Sequence, residues 1–239
     1  MSGAVTVARE GTPHGEVALR RRGTVLELVV DGAFAMDTVD TSTEVRLADE
    51  ALDLHADPRR VLVGGLGLGF TARAVLADPR VEHVDVVELA EPLVRWARAG
   101  VVPELTGIED SRCTLHVADV ADVLAGRAEP RGPWEVVLLD VDNGPDFLVH
   151  SRNAPLYEAP ALAAARAALA PDGVLLVWSS HLAPPLLAAM RSAAQPGDVV
   201  REQVLPVARE GRSLDYAHYT LIRTDPPAPA PAPRLDISG

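Results

Sequence analysis

VLVGGLGLGF, residues 61–70, is the stretch that decides the fold. An apolar run breaks into glycines at alternate positions, Gly65, Gly67 and Gly69. That pattern reads as a buried strand turning sharply into a helix, with Thr71, Ala72 and Ala74 in the helix's first turns. Glycine allows the tight bend and leaves room for a ligand against the backbone. The same glycines would serve a plain structural turn, so the loop is read together with what surrounds it.

Outward from this loop, strands and helices alternate. Strands are expected at 60–63, 83–87, 113–117, 135–140 and 174–178, and helices at 69–77, 91–99, 119–125, 160–170 and 184–194. Such alternation predicts an α/β fold, a mostly parallel sheet covered by helices on both faces. Segments 200–208 and 215–223 read as an antiparallel last hairpin, the arrangement of the Rossmann-like class I methyltransferase fold. Upstream, residues 16–37 read as short strands punctuated by Gly23 and by Asp31-Gly32, a small N-terminal β-region. A helix follows over 41–55. The expected organisation is a flexible N-terminus at 1–14, a β-region with linking helix at 15–57, a nucleoside-binding catalytic domain at 58–224, and a disordered Pro/Ala tail at 225–239.

The chain has 239 residues, 48% of them apolar, enough for a substantial core. Its net charge is −12, and all its basic side chains other than histidine are arginines. So acidic a chain is not expected to bind nucleic acid or an anionic membrane. The charge suits a cationic substrate, or simply a solvated acidic surface. A single cysteine, Cys113, excludes an intrachain disulfide and suits a cytoplasmic location. No signal peptide is read at the start. Residues 173–190, GVLLVWSSHLAPPLLAAM, are uncharged but broken by Ser179, Ser180, His181 and Pro184-Pro185. They read as a strand, a loop and a helix starting near the prolines.

The G-x-G-x-G spacing differs from the dinucleotide G-x-G-x-x-G, because Phe70 stands where the third glycine would be. It is the spacing of S-adenosylmethionine sites, which need no pyrophosphate cradle. No G-K-[ST] follows, which excludes a P-loop. Glu88 ends the second core strand about twenty residues after Gly69, where a carboxylate can accept both ribose hydroxyl protons. Asp119 follows the third strand and suits either an adenine amino group or the cap of the next helix. The fourth strand ends EVVLLDVDNGP, which places Asp140, Asp142 and Asn143 at the carboxyl edge of the sheet. Burial there would raise the pKa of Asp140 and fit it to accept a proton from a reacting amine. Asn143-Gly144-Pro145 also suits an Asx turn. His116, His150, His181 and His218 show no metal-ligand spacing, so no metal is expected. Tyr157, Trp134 and Trp178 read as core or pocket wall.

Over roughly residues 15–223 the chain resembles the spermidine synthase (polyamine aminopropyltransferase) family. The likeness is carried by GEVALRRRGTVLELVVDGAFAMDT, VLVGGLGLGFTARAVL, VVELAEPLVRWAR, and WEVVLLDVDNGP with LYEAPALAAARAALAPDGVLLVWSS. GGLGLGF, LLDVDNGP and VLLVWSS are closer to a bacterial spermidine synthase-like subgroup. The resemblance implies Glu88 on the ribose, Asp119 on the adenine and Asp140 as the catalytic acid-base. It also implies a homodimer or other homo-oligomer.

Three features depart from the family pattern. The family's loop reads G-G-G-D-G-G, its Asp holding the donor's amino group; aligned on the strand, Leu68 takes that place. The family's D-[ST]-x-D-P becomes Asp140-Val141-Asp142-Asn143. No Tyr-His of the family's Tyr-His-Glu motif occurs in TEVRLADEALDLH.

The expectation is therefore a transferase using S-adenosylmethionine or its decarboxylated form, releasing S-adenosylhomocysteine or methylthioadenosine. A small amine-bearing acceptor attacks beside the sulfonium. Asp140 orients and deprotonates it, with Asp142, Asn143 and Tyr157 on the acceptor side. Aminopropyl transfer, methyl transfer and cyclisation stay open, as does a nucleoside-binding protein without catalysis.

Overall fold

A computed structural model describes residues 3–109, 111–148, 151–209 and 212–224. The expected tail at 225–239 and His150 lie outside the described residues. Four antiparallel strands come first: β1 (Val5–Thr12), β2 (Gly15–Arg22), β3 (Val25–Val30) and β4 (Ala33–Asp37), side by side in that order. Asp31 and Gly32 both have positive φ, 51° and 75°, which lets two residues close the β3–β4 hairpin.

β1 corrects the expectation of a flexible N-terminus up to residue 14. It pairs with β2 from Val5 opposite Arg21 to Thr12 opposite Gly15. No residue of β1 is buried, and Val5 is 65% exposed. The strand therefore lacks the one-faced apolar pattern that marks a strand in sequence. Backbone pairing holds it instead, with ion pairs from Arg9 to Glu16 and from Arg95 to Glu10.

Helix α1 (Ser42–Asp53) leads into the main sheet. There β5 (Arg60–Gly64), α2 (Phe70–Ala77), β6 (His83–Glu88), α3 (Glu91–Arg98), β7 (Cys113–Val117), α4 (Val120–Leu124), β8 (Trp134–Leu139), α5 (Ala159–Ala167), β9 (Leu169–Ser179) and α6 (Pro184–Ala193) alternate. The hairpin β10 (Val199–Arg209) and β11 (Arg212–Ile222) closes the fold. The seven strands lie in the order β10-β11-β9-β8-β5-β6-β7. β5 to β9 pair in parallel, while β11 runs antiparallel to β9. This is the expected α/β architecture. β9 begins earlier than expected, because Leu169 pairs with Trp134 ahead of the positive-φ residue Asp172. Short 3₁₀ turns at Pro103–Leu105 and Ser151–Tyr157 have no apolar period and were not foreseen.

Alternate residues of one strand feed two cores. Val136 and Leu138 join Leu47, Ala72, Val75 and Leu93 on one face. Val137 and Leu139 join Val123, Leu162, Leu186 and Met190 on the other. Both faces of β8 are thus covered, and its run is apolar apart from Glu135 near its start. Leu138 is fully buried, so truncation to Ala would cost roughly 2–5 kcal/mol. Val17, Leu19, Leu26 and Leu28 of the N-terminal sheet belong to the first core. His116 and Trp134 donate to buried Asp85, each at 2.9 Å. Burial alone would raise the Asp85 carboxyl, but these bonds outweigh it and hold it below its ordinary range. Among the described residues no helix is long and apolar enough to cross a membrane.

Candidate active site

The chain runs from β5 to β6 and β7 on one side, then crosses to β8 on the other. A crevice opens at the carboxyl ends of the strands where the direction reverses. Gly65 follows β5, Glu88 ends β6, Asp119 follows β7 and Asp140 follows β8. All four line one cavity. Its ceiling is the N-terminal sheet, through Val17, Leu28, Val30 and Met36.

All three glycines of the loop have positive φ: 96° at Gly65, 50° at Gly67 and 86° at Gly69. The space left by their missing side chains is filled by the protein itself. A Cβ at Gly65 would lie 2.1 Å from the Asp140 carbonyl oxygen. One at Gly67 would lie 2.6 Å from Met36 Sδ, and one at Gly69 would meet Leu105 Cδ2. The glycines therefore dock the loop against β8, β4 and the turn at 103–105. Gly65 and Gly67 line the cavity; Gly69 does not, and instead caps α2 in a left-handed conformation.

Glu88 is fixed by the backbone. Leu66 N donates to Oε2 at 2.9 Å and Ala90 N to Oε1 at 2.7 Å. Both carboxylate oxygens are thus oriented by the segment after the glycine loop's strand and by the segment leading into α3. Asp119 has both roles open in the sequence. It caps α4, accepting from Ala121 N at 2.9 Å, and it also lines the cavity.

Asp140 leaves β8 with its backbone N–H still donating to Gly64 O at 2.9 Å. Its carboxyl accepts from Thr71 Oγ1 at 2.7 Å and keeps one side toward the cavity. Burial, reinforced by the charge of Glu44, pushes its pKa up to about 7 against the opposing Thr71 bond. Asp142 is buried and also lines the cavity. It accepts from Asn153 Nδ2 at 2.9 Å, with Tyr157 Oη at 3.5 Å. Burial and the two nearby aspartates push the Tyr157 hydroxyl well above its ordinary range. Tyr157 stands behind Asp142 rather than in the cavity wall. Asn143 does line the wall, and its Nδ2 reaches Phe34 O of β4 at 3.4 Å. His181 fastens the same loop through Asp146 at 3.0 Å.

Among the cavity residues that the sequence reading does not single out are Glu44, Thr71, Asn153 and Met36. Thr71 alone had a local signal, its place in the first turn after the glycines. Leu68 was expected to replace a donor-binding acid, but it is fully buried and does not line the cavity. The wall carries five carboxylates, Glu44, Glu88, Asp119, Asp140 and Asp142. No arginine or histidine is among the described lining residues. Among the described residues no cluster of histidine, cysteine and acids is placed to hold a metal ion.

The sequence profile of the spermine/spermidine synthase domain matches residues 42–190, well over half of the chain. The chain belongs to this family. A polyamine aminopropyltransferase of Mycobacterium tuberculosis is 29% identical over 96% of the chain, which spans only 44% of that relative. Spermine synthase of Arabidopsis thaliana is 30% identical over 62% of the chain, which spans 40% of it. The chain thus spans less than half the length of these relatives. Among solved folds, a spermidine synthase bound to the transition-state analogue AdoDATO superposes with a TM-score of 0.74 at 18% identity. That match covers 91% of this chain and 73% of the other. Spermidine synthase from Thermotoga maritima superposes at 0.70 with 17% identity, covering 91% and 72%. These likenesses place the fold in the spermine/spermidine synthase class.

Proposed function

We propose that the chain transfers an aminopropyl group from decarboxylated S-adenosylmethionine to an amine acceptor, releasing methylthioadenosine. The observation that carries this reading is the wall of five carboxylates with no arginine or histidine among the described lining residues. Intact S-adenosylmethionine brings a carboxylate that this wall would repel, whereas the decarboxylated donor brings only its sulfonium and ammonium. The methyl-transfer alternative rests on the missing loop acid, whose place in the cavity Leu68 leaves empty by lying in the core; the five carboxylates from other elements weigh against it. The M. tuberculosis polyamine aminopropyltransferase and the A. thaliana spermine synthase, as relatives, point the same way.

In this reading Glu88 accepts both ribose hydroxyls, its geometry set by Leu66 N and Ala90 N. Asp119 accepts from the adenine amino group at the edge of the cavity it lines. Asp140 orients the acceptor nitrogen toward the methylene beside the sulfonium. As the C–N bond forms and the C–S bond breaks, the thioether leaves neutral and the nitrogen's proton passes to Asp140. A carboxyl poised near pH 7 suits that task. Asp142, set by Asn153 and backed by Tyr157, and the Asn143 carboxamide hold the acceptor side. In this division of labour residues 15–57 cover the pocket and 58–224 form the nucleoside-binding catalytic domain, which carries the groups for both donor and acceptor. We also assign the enzyme to the cytoplasm, consistent with a single cysteine that can form no intrachain disulfide, and to a homo-oligomer, which sedimentation will check.

Calorimetric titration with the decarboxylated donor, S-adenosylmethionine and methylthioadenosine tests the reading. The decarboxylated donor is expected to bind more than about tenfold tighter than S-adenosylmethionine. The reverse order would overturn aminopropyl transfer.

A further inference from the structure

Ser179 ends β9 and Ser180-His181 follow it, and the reaction above gives none of the three a role. They lie against the turn that leaves the end of β8. Ser180 N and Ser180 Oγ both donate to the Asn143 carbonyl, at 3.2 and 2.6 Å. His181 Nε2 meets Asp146 Oδ2 at 3.0 Å. The Phe147 ring stands edge to face with the His181 ring, their centroids 5.0 Å apart. Gly144, at φ 103°, covers Ser179 so closely that a Cβ there would run into Ser179 Oγ. Residues 143, 144, 146 and 147 are thus each met by one of three consecutive residues after the core of β9.

A carboxylate only accepts, so His181 donates to Asp146 through Nε2. In the neutral ring this leaves Nδ1 to accept from Ser179 Oγ, at 3.4 Å. Serine, histidine and aspartate in that order make the constellation of a nucleophilic triad. Here it cannot attack, because Ser179 is fully buried beneath Gly144 and no substrate carbon reaches its hydroxyl. The same contacts can hold. On its outer side the turn faces solvent, with the Asp146 side chain 62% and Phe147 61% exposed. On its inner side Asn143 and buried Asp142 line the cavity with Asp140. A carbonyl that accepts two bonds fixes the peptide after Asn143, and with it the direction in which the Asn143 side chain leaves the backbone.

We propose that Ser180 and His181 are positioning residues for the acceptor: they clasp the turn at 143–147 against the end of β9 and so hold Asn143 and the neighbouring Asp142 beside Asp140. The inference rests on the aminopropyl-transfer reading for the identity of the acceptor. A turn already held loses little further freedom when the acceptor binds, whereas a released one must be ordered at that moment. The nucleoside side, built on Gly65, Glu88 and Asp119, makes no use of the clasp.

The test compares Ser180→Ala and His181→Ala with Ser180→Thr, which keeps the hydroxyl, and His181→Gln, which keeps a donor near the place of Nε2. Hydrogen exchange in the full chain is followed by mass spectrometry at 141–147. Both alanine variants should exchange there about fivefold faster than the unsubstituted protein, with 61–70 unchanged, and the conservative variants should restore protection. With putrescine or spermidine as acceptor, the alanine variants should raise the acceptor KM about fivefold, with a smaller loss in kcat and with methylthioadenosine affinity retained. Adding Asp146→Ala to His181→Ala should change the acceptor KM little further, because the two residues share one contact. Unchanged exchange at 141–147 would overturn the clasp. Faster exchange with unmoved acceptor constants, or equal losses for donor and acceptor, would overturn its positioning role. If neither amine is turned over, the transfer reading falls, and the exchange rates still decide the clasp.

Discussion

On the proposed donor side of the cavity, Glu88 is held by two backbone N–H groups and Asp119 by a third. On the proposed acceptor side, Asp140 is held by the Thr71 hydroxyl and Asp142 by the Asn153 carboxamide. The donor-side groups are oriented by the chain segments that build the strand ends. The acceptor-side groups depend on side chains, one from α2 and one from the loop after β8. A nucleoside site fixed by the backbone tolerates change elsewhere in the chain. An acceptor site fixed by side chains can be retuned one residue at a time.

The sharpest break in this comparison is Asp140→Asn. Turnover is expected to fall by about 10²–10⁴, with methylthioadenosine binding retained. The same change should stabilise the fold. The folded state holds the Asp140 proton up to about pH 7, so ionisation costs stability as pH rises toward that value. Asn has no proton to lose. Its advantage is therefore small near about pH 4 and largest above about pH 7, on the order of 2 kcal/mol. Thermal melts at several pH values check this, and an unchanged or lower melting temperature at the alkaline end would sink it.

Glu88→Gln comes next. An amide can accept one of the two backbone N–H groups but sets its NH₂ against the other, so donor affinity should drop about ten- to hundredfold. Asp142→Asn should instead raise the acceptor KM about tenfold and leave the donor untouched. If both changes moved donor and acceptor constants together, the two sides would not be separable. The smallest effects are shifts in the pH profile of kcat. Thr71→Val removes the bond that lowers the Asp140 pKa, and should move the acid limb to higher pH. Glu44→Gln removes a charge that raises it, and should move the limb to lower pH, each by about half to one unit. Shifts of the same sign would contradict the assigned causes.

Legibility from sequence follows the same divide. Residues 61–70, 83–88 and 134–140 announce strand, turn and ligand edge through local apolar runs ending in glycine or acid, and the structure puts each there. Glu44 and Asn153 carry no such mark. Glu44 is one acid in the acidic helix α1, and Asn153 sits in a 3₁₀ turn. Only the packing of α1 and of the loop after β8 around Asp140 and Asp142 gives them meaning. β1 was missed for a related reason, since its hydrogen bonds leave no trace in side-chain pattern. Leu68, aligned on the strand with the family's donor-binding acid, lies in the core and adds no group to the cavity wall.

Met36 of β4 places its sulfur over the hydrogen of Gly67 and accepts from Leu68 N at 3.1 Å. The N-terminal sheet and the glycine loop therefore share one contact that neither can alter alone. Any side chain at Gly67 must push aside the flexible end of Met36 and hold a left-handed backbone, and a Met36 moved in this way leaves a backbone N–H of the loop without its acceptor. The two positions are coupled, and part of what shapes the loop lies in a strand that never joins the main sheet's ladder.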